Sequence, residues 1–207
     1  MRILVFTHPR SCSTYVQNLL AYKFKLENWG ELQGPPGTKG RLPQYEYYIK
    51  DNYIVKLLSV QLFHKVYDWS AFDWNIMDHI IITDRSTNLA DQVCSWAVRM
   101  QGITSPAPID TSSFGFIHSL QCLKRYYEHK RYLLNNFSQV KVVPYELMQQ
   151  LPEYYVDEFN KITNLDISVD DCYGASDCKE VLQNKKDYSK LVLNYDEIVE
   201  IVKDYGE

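Results

Sequence analysis

The 207-residue sequence predicts an α/β fold, a three-layer sandwich with a mostly parallel central sheet. Three observations predict it. Short β-branched and aromatic runs alternate with longer stretches of helical period. The run His79-Ile80-Ile81-Ile82-Thr83 is apolar without alternation, as a strand covered on both faces requires. Two of the strands, the first and this one, end in polar, arginine-bearing turns that each open a helix.

Arg2-Ile3-Leu4-Val5-Phe6 reads as the first buried strand and Thr7 to Thr14 as its turn. Tyr15 to Phe24 then reads as a helix, with Val16, Leu19, Leu20 and Phe24 at helical spacing. Glu27 to Arg41 carries Gly30, Gly34, Pro35, Pro36, Gly37 and Gly40, so an irregular loop is expected, placed as a lid or substrate loop. Pro43 to Lys50 is tyrosine-rich and is expected to form a short helix. Tyr53 to Leu58 reads as a second strand. Val60 to Ala71 is ambiguous, and Phe72-Asp73-Trp74 reads as a turn. His79 to Thr83 is the next strand, Asp84 to Asn88 its turn, and Leu89 to Met100 a helix with Leu89, Val93, Trp96 and Ala97 as its apolar stripe. A loop follows to Ser113, then a long helix from Phe114 to Phe137. Gln139 to Val143 is a further strand, and Glu153 to Ile162 and Asn194 to Asp204 are helical stretches.

The length suits a single domain over residues 1–207. An apolar fraction of 45% and a charged fraction of 23% are ordinary for a globular chain. The net charge of −4 and the lack of a basic stripe argue against nucleic acid as a partner, while leaving room for a local basic pocket. No run approaches the length of a membrane span, and the N-terminus lacks the apolar stretch of a signal peptide, so a cytoplasmic protein is expected. The five cysteines, Cys12, Cys94, Cys122, Cys172 and Cys178, lack zinc-pair spacing. Cys172 and Cys178 are near enough in sequence to bridge, although a reducing compartment leaves them as thiols.

The first turn carries chemistry. A strand, a Ser/Thr-rich turn and a helix N-terminus make an anion site, because the first helical N–H groups lack partners and the dipole adds positive charge. Arg10 supplies a planar fork of donors suited to phosphate or sulfate, and Ser11, Ser13 and Thr14 supply hydroxyls. The plainer alternative is Ser11 or Ser13 acting only as the helix N-cap. The turn is not a Walker A loop: no glycine lies before Gly30.

His8-Pro9-Arg10-Ser11-Cys12-Ser13-Thr14 resembles the P-R-S-G-S-T loop of the sulfotransferase superfamily, with Cys12 where the family usually has glycine. The stretch from Ile81 to Trp96 resembles the family's second signature, and Gln92, Ser95 and Trp96 echo its Q-x-x-S-W helix. The resemblance implies a P-loop-like sulfotransferase fold. It implies transfer of a sulfuryl group from 3′-phosphoadenosine 5′-phosphosulfate (PAPS) to a hydroxyl of a carbohydrate or small molecule, leaving 3′-phosphoadenosine 5′-phosphate (PAP). Arg10, Ser11, Cys12, Ser13 and Thr14 would hold the phosphosulfate end, and Arg85 with Ser95 the 3′-phosphate. Arg85 has a plainer alternative, capping a nearby carbonyl. Lys56, on the second strand, would reach the leaving phosphate, and Arg10 would join it in stabilising the charge that develops there. Glu31 would be the base, with His8 as a group touching the acceptor instead. Lys185 and Lys186 would form a late basic loop over the 3′-phosphate. His64 is a lesser candidate, and aromatic residues such as Trp29, Tyr45, Tyr47, Tyr48, Trp69 and Trp74 would stack on an acceptor ring or simply pack. No metal is needed, and the oligomeric state is left open. Two rival readings stand beside this one. A nucleotide or phosphate kinase-like enzyme would need a loop lysine and a magnesium ligand. A non-catalytic module would bind PAP and transfer nothing.

Overall fold

β1 (Arg2–Thr7) is the middle strand of a five-stranded sheet in the order β2-β3-β1-β4-β5. Its companions are β2 (Glu27–Glu31), β3 (Tyr53–Leu58), β4 (His79–Asp84) and β5 (Val140–Pro144), and every neighbouring pair is parallel. The computed structural model describes residues 1–31, 50–63, 73–175 and 187–205.

Helices cover both faces. Ile3, Val5, Ile54, Ile81 and Val143 point to a layer built from α1 (Ser13–Phe24), α4 (Pro152–Thr163) and α5 (Val169–Gly174). Leu4, Phe6, Val55, Leu57, Ile80 and Ile82 point to α2 (Leu89–Met100), α3 (Phe114–Asn136) and α7 (Tyr195–Val202). This is why the strands read as apolar runs: successive side chains face opposite layers, and both layers are dry. A short helix, α6 (Tyr188–Leu191), packs beside α2 and α7. No described helix is long and apolar enough to cross a membrane.

The structure corrects one element. The segment Glu27–Glu31, expected to be irregular, is an edge strand. Gly30, at φ 67°, disguises it: the glycine sits in a bulge, not a loop. Pairing runs Glu27 to Tyr53 and Asn28 to Ile54, then slips so that Glu31 opposes Lys56. Trp29 anchors the strand by stacking on Tyr53, with ring centroids 3.9 Å apart. The extra residue also reverses facing. Without it Glu31 would point to the α2–α3 side; with it Glu31 shares Lys56's face, toward α1.

Other departures are smaller. Helix α1 starts at Ser13 rather than Tyr15. Ser59–Phe63 and Trp74–Ile76 are 3₁₀ turns, the latter capped by Asp73. Helices α5 and α6 are too short for periodicity to reveal, although Ser168 and Asp171 form a capping box at α5. The tyrosine-rich stretch 43–49, the Gly/Pro-rich stretch 32–41, His64, Trp69, Cys178, Lys185 and Lys186 lie outside the described residues.

Candidate functional site at the carboxyl ends of the strands

β1 has β3 on one side and β4 on the other, so the chain leaves the central strand in opposite directions. Such a switch point opens a crevice beyond the strands' carboxyl ends, and the loop after β1 lies there.

Side chains beneath this loop fix its shape. Thr83 Oγ1 donates to Thr7 Oγ1 at 2.6 Å, and Thr7 donates onward to the His8 carbonyl at 2.8 Å. Ser11 Oγ also donates to the His8 carbonyl, at 2.8 Å. Gln92, on α2, donates to Ser11 Oγ at 2.6 Å and to the Pro9 carbonyl at 3.2 Å. Ser11 is therefore a buried brace, its hydroxyl turned into the loop.

Two residues in the loop have left-handed backbones, Arg10 at φ 71° and Cys12 at φ 56°. Such reversals are the backbone feature from which anion-binding concavities are made. Cys12 is the N-cap of the 12-residue α1 and gives it no side-chain acceptor. Asn88, Ser113 and Ser168 do cap α2, α3 and α5. The first amide donors of α1 are thus left for another acceptor.

Cys12 occupies a conformation that glycine adopts without cost. Its thiol accepts from Gln149 Nε2 at 3.1 Å. Burial pushes its pKa up to about 11, against the opposing pull of Gln149, Arg85 and Arg10, so it stays protonated at neutral pH. Relief of left-handed strain in Cys12→Gly and loss of the thiol's contacts each amount to about 1 kcal/mol and oppose one another. Cys12→Gly is expected to hold Tm within a few degrees. Cys12→Val, β-branched in a left-handed turn, is expected to lose about 1–3 kcal/mol. Thermal melts of the two variants check this.

The charged groups converge on this edge. Lys56, on β3 and 6% exposed, donates to Thr14 Oγ1 at 2.9 Å and lies 3.3 Å from Glu31 Oε1. An ammonium, a carboxylate and a helix N-terminus thus share one spot. On the other side Arg10 Nε donates to Ser95 Oγ at 3.0 Å. Arg10 is exposed, and its terminal amino groups have no partner among the described residues. Arg85 is buried. One of its terminal nitrogens donates to the Arg10 carbonyl at 3.2 Å, and the other lies 3.5 Å from Asp91. Its guanidinium stacks 4.1 Å from the centre of the Tyr145 ring, and its Nε is buried with no partner among the described residues. Arg85 therefore braces the loop that carries Arg10, the carbonyl-capping alternative, while bringing its charge to the same edge. Ser95 is in direct contact with Arg10.

His8 has no exposed surface. Its Nδ1 pairs with Ser59 Oγ at 2.8 Å, and its ring packs against Trp96 and Tyr126. Burial lowers its pKa to about 3, so the ring is neutral. The structure places this side chain beneath the loop, wholly buried. Trp29 and Trp74 are likewise buried in the core.

Five residues at this edge escape sequence reasoning as site components. Gln92 stood in the second motif but only as an echo. Asp91, at the start of α2, was hidden as an ordinary N-terminal acid. Tyr145, Gln149 and Tyr188 come from distant segments, and no local signal marks them. Arg10, Arg85 and Lys56 meet the Glu31 and Asp91 carboxylates here, with Glu146 near enough to act on Cys12, and the guanidinium and ammonium donors suit an anion. Among the described residues no group of three or more His, Cys, Asp or Glu side chains is placed to hold a metal ion. In comparisons with known proteins, no family model matches the chain and no curated protein matches it.

Proposed function

We propose that this chain is a PAPS-dependent sulfotransferase with a P-loop-like fold, acting on a hydroxyl of a carbohydrate or small molecule. One observation carries the reading: Lys56 bridges Thr14 and Glu31 at the uncapped N-terminus of α1. The central position of the strand before the loop supports it, as does the meeting of Arg10, Arg85 and Ser95 beside that helix.

PAPS supplies an activated sulfuryl group on a phosphate leaving group. The chain's part is electrostatic. The amides of Ser13 and Thr14 and the Lys56 ammonium neutralise charge that gathers on the leaving phosphate as its bond to sulfur breaks. Glu31 takes the proton that the acceptor hydroxyl loses as its oxygen bonds to sulfur. Arg10 and Ser95 hold the second phosphate, and Arg85 keeps the loop in register. Ser11 and Cys12 shape the loop.

A thermal-shift titration with PAP and PAPS beside ATP tests this. At a ligand concentration of 100 Kd the 3′-phosphorylated nucleotides are expected to add about 2.7 kcal/mol, a rise of roughly 5–10 °C in Tm. The rise is expected to vanish in Arg10→Ala and to shrink in Arg85→Ala. Equal stabilisation by ATP would favour a kinase-like enzyme, and no response to PAP would overturn the reading.

A further inference from the structure

Ser95 is the hub of a hydrogen-bond chain that joins three distant parts of the sequence. Its Oγ accepts from Arg10 Nε at 3.0 Å and from the Tyr188 hydroxyl at 2.8 Å. A serine hydroxyl has two acceptor positions and a single hydrogen to give. Both acceptor positions are filled. The hydrogen has no acceptor among the described residues, although a helical serine commonly gives it to the carbonyl one turn back. Ser95 is 5% exposed and Tyr188 7%, so bulk water competes weakly for that hydrogen. The guanidinium of Arg10 lies beside it, and its terminal amino groups have no partner among the described residues.

We propose that Tyr188 is a positioning residue: by donating to Ser95 it commits the serine as a donor to the 3′-phosphate held with Arg10. The inference rests on the sulfotransferase reading and deepens it. Tyr188 stands at the first turn of α6, 93 residues from Ser95. Its ring belongs to the apolar layer under α2 and α7, which fixes the direction of its hydroxyl. Without that donor the Ser95 hydroxyl is held on one side only, by Arg10, and its hydrogen is free to rotate away from the anion, leaving a lone pair to face it. A lone pair repels phosphate where a hydrogen attracts it.

Calorimetric titration of PAP and of adenosine 5′-phosphate into the wild type, Tyr188→Phe and Ser95→Ala tests this. The phenylalanine variant keeps the ring and its packing. Tyr188→Phe is expected to bind PAP about five- to tenfold more weakly, the scale of one ordinary hydrogen bond, with adenosine 5′-phosphate unchanged. Ser95→Ala is expected to lose a similar factor, and the double variant little more than either alone. A purely structural role would weaken both nucleotides together, and that result would overturn the proposal. Wild-type affinity for PAP in Tyr188→Phe would overturn it too while leaving the sulfotransferase reading intact. A wild type that does not prefer PAP over adenosine 5′-phosphate would remove both.

Discussion

Lys56→Met is expected to slow cleavage of PAPS by about 10²–10³-fold while weakening PAP binding less than tenfold. Lys56 is almost wholly buried, yet its ammonium is held between the Thr14 hydroxyl and the Glu31 carboxylate. A cation fixed in a low-dielectric pocket needs no reorganisation when charge grows on a leaving oxygen. Its contribution therefore falls more on the transition state than on the bound nucleotide. Methionine keeps the stem's length and apolar contacts and removes only the charge. Glu31 remains partly solvated at 37% side-chain exposure, so losing its partner costs little stability. The measurement pairs the rate of PAP release from PAPS, across a panel of hydroxylated acceptors, with PAP affinity by calorimetry. Equal losses in rate and affinity would make Lys56 a binding residue only. An unchanged rate would remove it from the chemistry.

A second large effect concerns acid. His8 is held near a pKa of about 3 and His129 near about 4, both lowered by burial from the ordinary 6.5. The His8 ring pairs with Ser59 through Nδ1, and the Nε2 atoms of both rings are buried without a partner among the described residues. Both rings are neutral in the folded chain and gain protons on unfolding below pH 6.5. Stability contributed by these groups is thus complete above 6.5 and is lost as pH falls toward the folded values. Each histidine removes up to about 1.4 kcal/mol per pH unit, so the pair costs on the order of 5 kcal/mol by pH 4.5. That is a large share of the ordinary stability of a domain, about 5–15 kcal/mol. His79, lowered chiefly by burial, adds in the same direction. The lowered pKa values of Asp110, Asp171 and Asp187 act below the usual carboxylate range, at lower pH than the histidines. Urea unfolding between pH 4.5 and 7.5 reads the slope. His8→Asn is expected to flatten it by about 1.4 kcal/mol per pH unit. A slope unchanged in that variant would contradict the buried, neutral assignment.

Much of the fold was legible because burial on both faces leaves a plain signature. Ile80, Ile81 and Ile82 cannot alternate with polar residues when two dry layers enclose them. β2 was not legible, because Gly30 reads as a loop breaker and the bulge destroys the period of two. Yet that bulge is what sets Glu31 beside Lys56, so the least readable strand fixes one of the site's ion pairs. Lys56, Arg10, Arg85 and Ser95 were all marked by their places after or on strands and helices. Their contacts were not, since a loop residue meeting a helix 85 positions away depends on how α2 packs against the loop after β1. Sequence placed Arg10 and Ser95 at opposite ends of a nucleotide; the structure joins them by a hydrogen bond. Arg85 shows the same limit. Its position read as a ligand for phosphate, but its guanidinium is drawn to Asp91, Tyr145 and the Arg10 carbonyl, groups that only tertiary packing supplies.

The central claim is that one crevice holds both phosphates of PAP, the 5′ group at the start of α1 and the 3′ group beside Ser95. A crystal structure of the chain grown with PAP measures this directly. The account predicts the 5′-phosphate within hydrogen-bond reach of the Ser13 and Thr14 amides and Lys56, and the 3′-phosphate within reach of Arg10 and Ser95. A nucleotide bound in the reverse sense, or seated away from the carboxyl ends of β1, β3 and β4, would contradict it.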